Sequence, residues 1–219
     1  MKNLQKMGGF AALYLAAAYL TGIVLFLFVL DYPSIVEPTQ KVALLVDKQM
    51  VIYIANLIMY VIFGVFLVVL ALALYERLNT ASPAIIRTAT AIGIIWAGTL
   101  IASGMVANAG IAPVVALYGK DPAQAALTWL AIETVANGLG GANGEILGGL
   151  LTLLISWAAL QVSGLPKGLN YLGILVGVVG LISTVPGLGD LAGLFGMSQI
   201  PWFVWLGIVL LRRSPSAAV

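Results

Sequence analysis
The side chains of this sequence best suited to chemistry are a few carboxylates and amides set among long apolar runs. Glu133, Asn137, Asn143 and Glu145 bracket the stretch ANGLGGANGEILGGLL, from Ala136 to Leu151, and Asp190 closes the later turn PGLGD. Asn56 and Asn108 fall at the same depth on neighbouring apolar segments. Ser198 and Gln199 lie about 12 Å further in from Asp190 at a helical rise. Polar side chains at membrane depth face a bundle interior or a water-filled cavity. Pro201 adds to the group, because a proline within a helix frees the carbonyl four residues earlier, here that of Met197. These residues are expected to line a polar cup. Three carboxylates there would favour a cation or a protonated amine, or would simply titrate.

Catalysis fits less well. The sequence contains no His and no Cys, which removes imidazole acid–base chemistry, thiolate metal sites and disulfides. It has no P-loop, dinucleotide fingerprint, zincin motif or nucleophile elbow. An intramembrane aspartyl protease needs two aspartates inside the bundle, and Asp190 alone comes near it. The expectation is a protein that is not an enzyme, with no cofactor, no metal site and no nucleic-acid partner.

The elements that must position these residues are membrane helices. Of the 219 residues, 62% are hydrophobic and 8% charged, with a mean hydropathy of +1.09. A soluble domain carries about 25% charged residues, so this chain could not cover a water-facing surface. A bilayer core needs roughly 20 apolar helical residues. Runs that meet or approach this are 8–30, 50–74, 84–111, 145–162, 169–185 and 191–211. The predicted fold is therefore all-α: one integral membrane domain over 1–219, a polytopic bundle of six transmembrane helices.

With the N-terminus inside, the inner side holds Lys2, Lys6, Arg77, Arg87, Lys167, Arg212 and Arg213, and the outer side holds Lys41, Lys48 and Lys120. The positive-inside rule then places both termini in the cytoplasm. A seventh span over 122–142 would reverse that balance and is rejected.

Local punctuation supports the segmentation. Ser82-Pro83 and Asp121-Pro122 each read as an N-cap followed by proline at the first helical position. Pro113 is expected to end the third span, Gly138 to cap a helix, and Asp190 to cap the sixth span. Between spans three and four, 122–137 forms an outer amphipathic helix with Glu133 as its one charge. So apolar a helix must lie on the membrane surface or tuck over the bundle as a lid, with Trp129 marking the interface.

The glycines offer a second reading. Gly140, Gly144 and Gly148 repeat at every fourth position, and Gly173 and Gly177 do the same on the fifth span. Such strips let helices approach backbone to backbone, within this chain, between copies or against another membrane protein. Glu145 would then sit in the first turn of span four and complement the helix dipole.

Three stretches, GGFAALYLAAAYLTGIV, EILGGLLTLLISWAALQVSGLPKGLNYLGILVGVVGLIS and PWFVWLGIVLLRR, resemble a group of uncharacterised six-span bacterial membrane proteins. The resemblance implies six helices and a bacterial plasma membrane, and it carries over no functional residue. Two functions follow as expectations. The first is an accessory, scaffold or sensory subunit packing against other membrane helices. The alternative is a small-solute or cation binding protein or carrier that uses the outward-facing cup.

Overall fold
The computed structural model describes residues 2–80, 83–140 and 145–212, and among them every regular element is a helix. α1 runs Lys2–Ile23 and continues as a π-helical turn, Val24–Val29. A 3₁₀ turn at Tyr32–Ser34 leads to α2, Pro38–Asn56; a second π turn, Leu57–Ile62, joins it without a break to α3, Phe63–Leu78. α4 spans Pro83–Tyr118, α5 Pro122–Gly140, α6 Ile146–Val162, α7 Lys167–Ile182 and α8 Leu191–Arg212. Among the described residues four continuous helices are long and apolar enough to cross a membrane: Asn3–Val29, Pro38–Leu78, Pro83–Tyr118 and Leu191–Arg212. α6 and α7 are apolar but shorter. These helices mark the chain as a membrane-embedded protein, since a helix satisfies its own backbone hydrogen bonds away from water.

Several boundaries differ from the expected ones. The second span does not stand alone but is part of one 41-residue rod, Pro38–Leu78, bent at Lys48 where φ is −114° and ψ is 22°. Pro113 does not end its helix, because α4 continues to Tyr118 over 36 residues. The turn beyond the proline is held by tertiary packing: Val114 is fully buried against residues of α2 and α5. Gly138 lies inside α5 rather than capping it. Asp121 behaves as expected, its Oδ1 accepting from the Gln124 N–H at 3.0 Å. Ser82 lies outside the described residues.

At about 1.5 Å per residue α4 is about 54 Å long, well beyond a hydrocarbon core of about 30 Å. The surplus builds a second core. The main core joins α1, α3, α4, α6 and α8 around Leu15, Leu67, Trp96, Ile155 and Phe203. A separate cluster at the end of the bundle nearest Tyr32 contains Leu30, Val42, Leu45, Val114, Ala125 and Trp129. There α5 folds back along α4 as a lid, burying Ala125, Ala126, Trp129 and Ala136.

Glycines seal two crossings inside the chain. A Cβ on Gly149 would lie 2.9 Å from the Gly177 carbonyl oxygen, and one on Gly177 would lie 2.8 Å from that of Gly149. α1 and α8 meet the same way at Gly9 and Gly207. The expected strip is only partly used in this manner. Gly148 faces the rings of Phe195 and Trp96, Gly140 faces Ser103 and Tyr60, and Gly173 packs on Ser156 and Trp202. Gly144 lies outside the described residues.

Candidate functional site
The seam between the two cores is hollow. A cavity of about 500 Å³ opens among the end of α1, its π turn, the α2–α3 rod, α4 and α5. A second of about 310 Å³ adjoins it, and Tyr19, Met59 and Tyr60 line both. Both π turns form part of the wall. The first contributes Phe26 and Leu27, and the second Met59 and Tyr60. A π turn inserts one residue into a helix, re-aims its side chains and loosens the local hydrogen-bond ladder; such turns are frequent at functional sites.

Polar side chains repair the backbone around the second π turn. The Tyr14 hydroxyl donates to the Ile58 carbonyl at 2.9 Å, and Asn108 Nδ2 donates to the Tyr53 carbonyl at 3.1 Å. Asn56 Nδ2 in turn donates to Asn108 Oδ1 at 2.9 Å. Asn108 thus supports the wall, whereas buried Asn56 lines the larger cavity.

One end of the larger cavity carries a connected polar network. Lys41 Nζ donates to Glu133 Oε1 and Oε2 at 3.2 and 3.1 Å. The Tyr32 hydroxyl donates to Glu133 Oε1 at 2.6 Å and accepts from Trp129 Nε1 at 3.3 Å. Lys41 Nζ also stands 5.0 Å from the centre of the Tyr32 ring. Burial, together with the Glu133 carboxylate, pushes the Tyr32 phenol well above its ordinary range, so it remains a hydrogen-bond donor. The network ties the 3₁₀ turn, α2 and the α5 lid together.

The smaller cavity holds Glu145. This residue immediately precedes α6, and its side chain makes no cap to the helix. Its backbone N–H donates to Ser183 Oγ at 3.2 Å, while the side chain lines the cavity beside Tyr19, Tyr60 and Phe63. Glu145 thus stands at the start of α6 and also in the cavity wall.

The structure divides the expected cup. Glu133, Asn137 and Asn56 line the larger cavity and Glu145 the smaller one. Asp190 is exposed in the turn before α8 and lines neither cavity; its backbone carbonyl accepts from the Gly193 N–H. Gln199 is fully buried between helices, its Nε2 donating to Thr152 Oγ1 at 2.8 Å, and so contributes to packing instead. Asn143 lies outside the described residues. Among the described residues no three acidic groups converge as a metal site would require.

Sequence reasoning passed over Tyr19, Tyr32, Lys41, Met59, Tyr60 and Ser103. Lys41 carried the one usable signal, a base that opens the mainly apolar stretch KVALLVDK. Trp129, read as an interface marker, is 6% exposed and belongs to the network. Ser103 fixes the lid, its Oγ donating to the Ala136 carbonyl at 2.8 Å.

A family model described as a domain of unknown function, DUF4386, matches residues 11–212, nearly the whole chain. No curated protein and no solved structure matches it.

Proposed function
The chain belongs to the DUF4386 family, and on that premise we propose that it is an integral membrane protein that binds a small, mainly apolar molecule in the two-part chamber. The observation that carries this reading is the cavity of about 500 Å³ in the seam between the two cores. Ligand sites are typically clefts of about 300–1,000 Å³, mostly apolar, with a few placed polar groups. The chamber offers aromatic and aliphatic walls from Tyr19, Phe26, Ile52 and Met59, with the Lys41–Glu133 pair at one end. A mainly apolar molecule with one polar group suits such a lining.

The accessory-subunit reading draws on the doubled glycine spacing, together with a sequence that offers no soluble domain and no cofactor ligands. The glycine-to-glycine backbone approaches, Gly149 to Gly177 and Gly9 to Gly207, are used within the chain, which favours the binding reading. We place the protein in a bacterial plasma membrane, non-catalytic, with six crossings and both termini cytoplasmic. α6 and α7 form the fourth and fifth crossings, supported by their apolar composition and by the seven-to-three split of basic residues. The chamber then faces outward under the α5 lid.

The test is native mass spectrometry of the protein purified from its host membrane in a mild detergent, comparing wild type with Ala107→Trp. Ala107 lines the larger cavity, and an indole there fills it. The expected outcome is a small-molecule adduct on the wild type that the variant lacks. The same adducts on both proteins, or none on the wild type, would overturn the reading.

A further inference from the structure
Resting on the chamber reading above, we propose that the smaller cavity recognises a protonated amine, the ammonium lying between the Glu145 carboxylate and the rings of Tyr19, Tyr60 and Phe63. Glu145 is the one charged side chain among the described residues lining this cavity. The neighbouring residues 141–144, GANG, contain no base in the sequence. The nearest charges described around the chamber, Lys41 and Glu133, already neutralise each other at 3.1 Å in the larger part. A carboxyl withdrawn from water stays ionised only beside a cation or strong donors and otherwise takes up a proton. Among the described residues this wall supplies no cation, only the neutral Tyr19 and Tyr60 hydroxyls as donors, so an ammonium on the ligand supplies the matching charge.

The remaining wall selects the kind of cation. Aromatic ring faces attract ammonium groups, and three rings line this cavity beside the carboxyl. A hard metal ion requires about six oxygen ligands, whereas this cavity is completed by Met59, Leu100 and small residues. An organic ammonium is satisfied by one carboxylate and the rings. Its apolar body then passes Met59, which lines both cavities, into the larger part. Met59 is a flexible thioether side chain suited to adjusting around such a body. Gly22 leaves it room, since a Cβ at Gly22 would collide with the Met59 methyl.

The experiment compares 2-phenylethylamine with 2-phenylethanol, the same apolar body bearing an uncharged head. Binding is measured by equilibrium dialysis against protein in nanodiscs at neutral pH, with empty nanodiscs subtracted. Wild type should bind the amine about tenfold more tightly than the alcohol, as one partly desolvated ion pair with cation–π support provides. Glu145→Gln should erase that preference while leaving the alcohol's affinity unchanged, which also shows the variant to be folded. Glu145→Asp should keep part of the preference. Equal binding of the two probes, or a preference that survives Glu145→Gln, overturns the amine inference; if Ala107→Trp still abolishes that binding, the chamber reading stands. Binding of neither probe above empty nanodiscs overturns both.

Discussion
Lys41 shows how much one side chain can organise here. Its ammonium bridges both oxygens of Glu133 and lies over the Tyr32 ring, and the side chains of the pair are only 24% and 14% exposed. Exposed ion pairs contribute little, but stranding one member of a buried pair costs about 3–5 kcal/mol. For this partly buried pair Lys41→Met should cost about 1–2 kcal/mol, because the Glu133 carboxylate loses its cation and keeps the neutral Tyr32 hydroxyl. The double variant Lys41→Met/Glu133→Leu should recover most of that loss, having no stranded carboxylate. Thermal unfolding in detergent or nanodiscs checks both, and an unchanged midpoint for Lys41→Met alone would show that the network does not hold the lid. Tyr32 and Lys41 were hard to find in the sequence because their importance comes from the Glu133 they meet, 101 and 92 residues away.

At the level of elements, the π turns and the glycine crossings do opposite work. The π turns open space, since the residues they re-aim line the chamber while Tyr14 and Asn108 satisfy nearby carbonyls. The crossings remove space, bringing α6 and α7 into backbone contact. Gly177→Ala should therefore destabilise the bundle by about 1–3 kcal/mol, as overpacking does, because the new methyl meets Leu153 and the Gly149 carbonyl. Gly98→Ala, in the same kind of apolar helix but with nothing near its added Cβ, should be neutral or stabilising by up to about 1 kcal/mol. Unfolding midpoints of the two variants, measured side by side, test this; equal effects would mean that the α6–α7 approach is not tight. The doubled glycine spacing was legible in the sequence, but its use was not. The backbone contact falls on Gly149, one residue from the expected Gly148, since only the roll of α6 against α7 decides which glycine faces inward.

For the whole molecule, helices longer than a bilayer core create a second hydrophobic cluster beyond the first, and the chamber lies in the seam. The proposed six crossings make a direct prediction. Because the chain has no cysteine, single cysteines report topology without background. Val36→Cys and Leu188→Cys should react with a membrane-impermeant maleimide on intact cells, and Thr80→Cys and Lys167→Cys only after permeabilisation. All four native residues are exposed. Labelling of Lys167→Cys on intact cells would remove α6 from the set of crossings.

The sequence by itself determined the class of this protein. Its apolar composition leaves no alternative to helices in a bilayer, and the absence of His and Cys narrows its chemistry. Proline and aspartate at 121–122 also placed the start of the lid helix, because capping is a local interaction. Tertiary structure alone decided that Pro113 stays inside α4, that Asn108 braces a wall while Asn56 lines a cavity, and that Glu133 and Glu145 share adjoining spaces from which Asp190 is excluded. The reason is physical. Hydropathy and capping act within a few residues, whereas a cavity is the space left between helices whose rotation and crossing are set by contacts far apart in the chain.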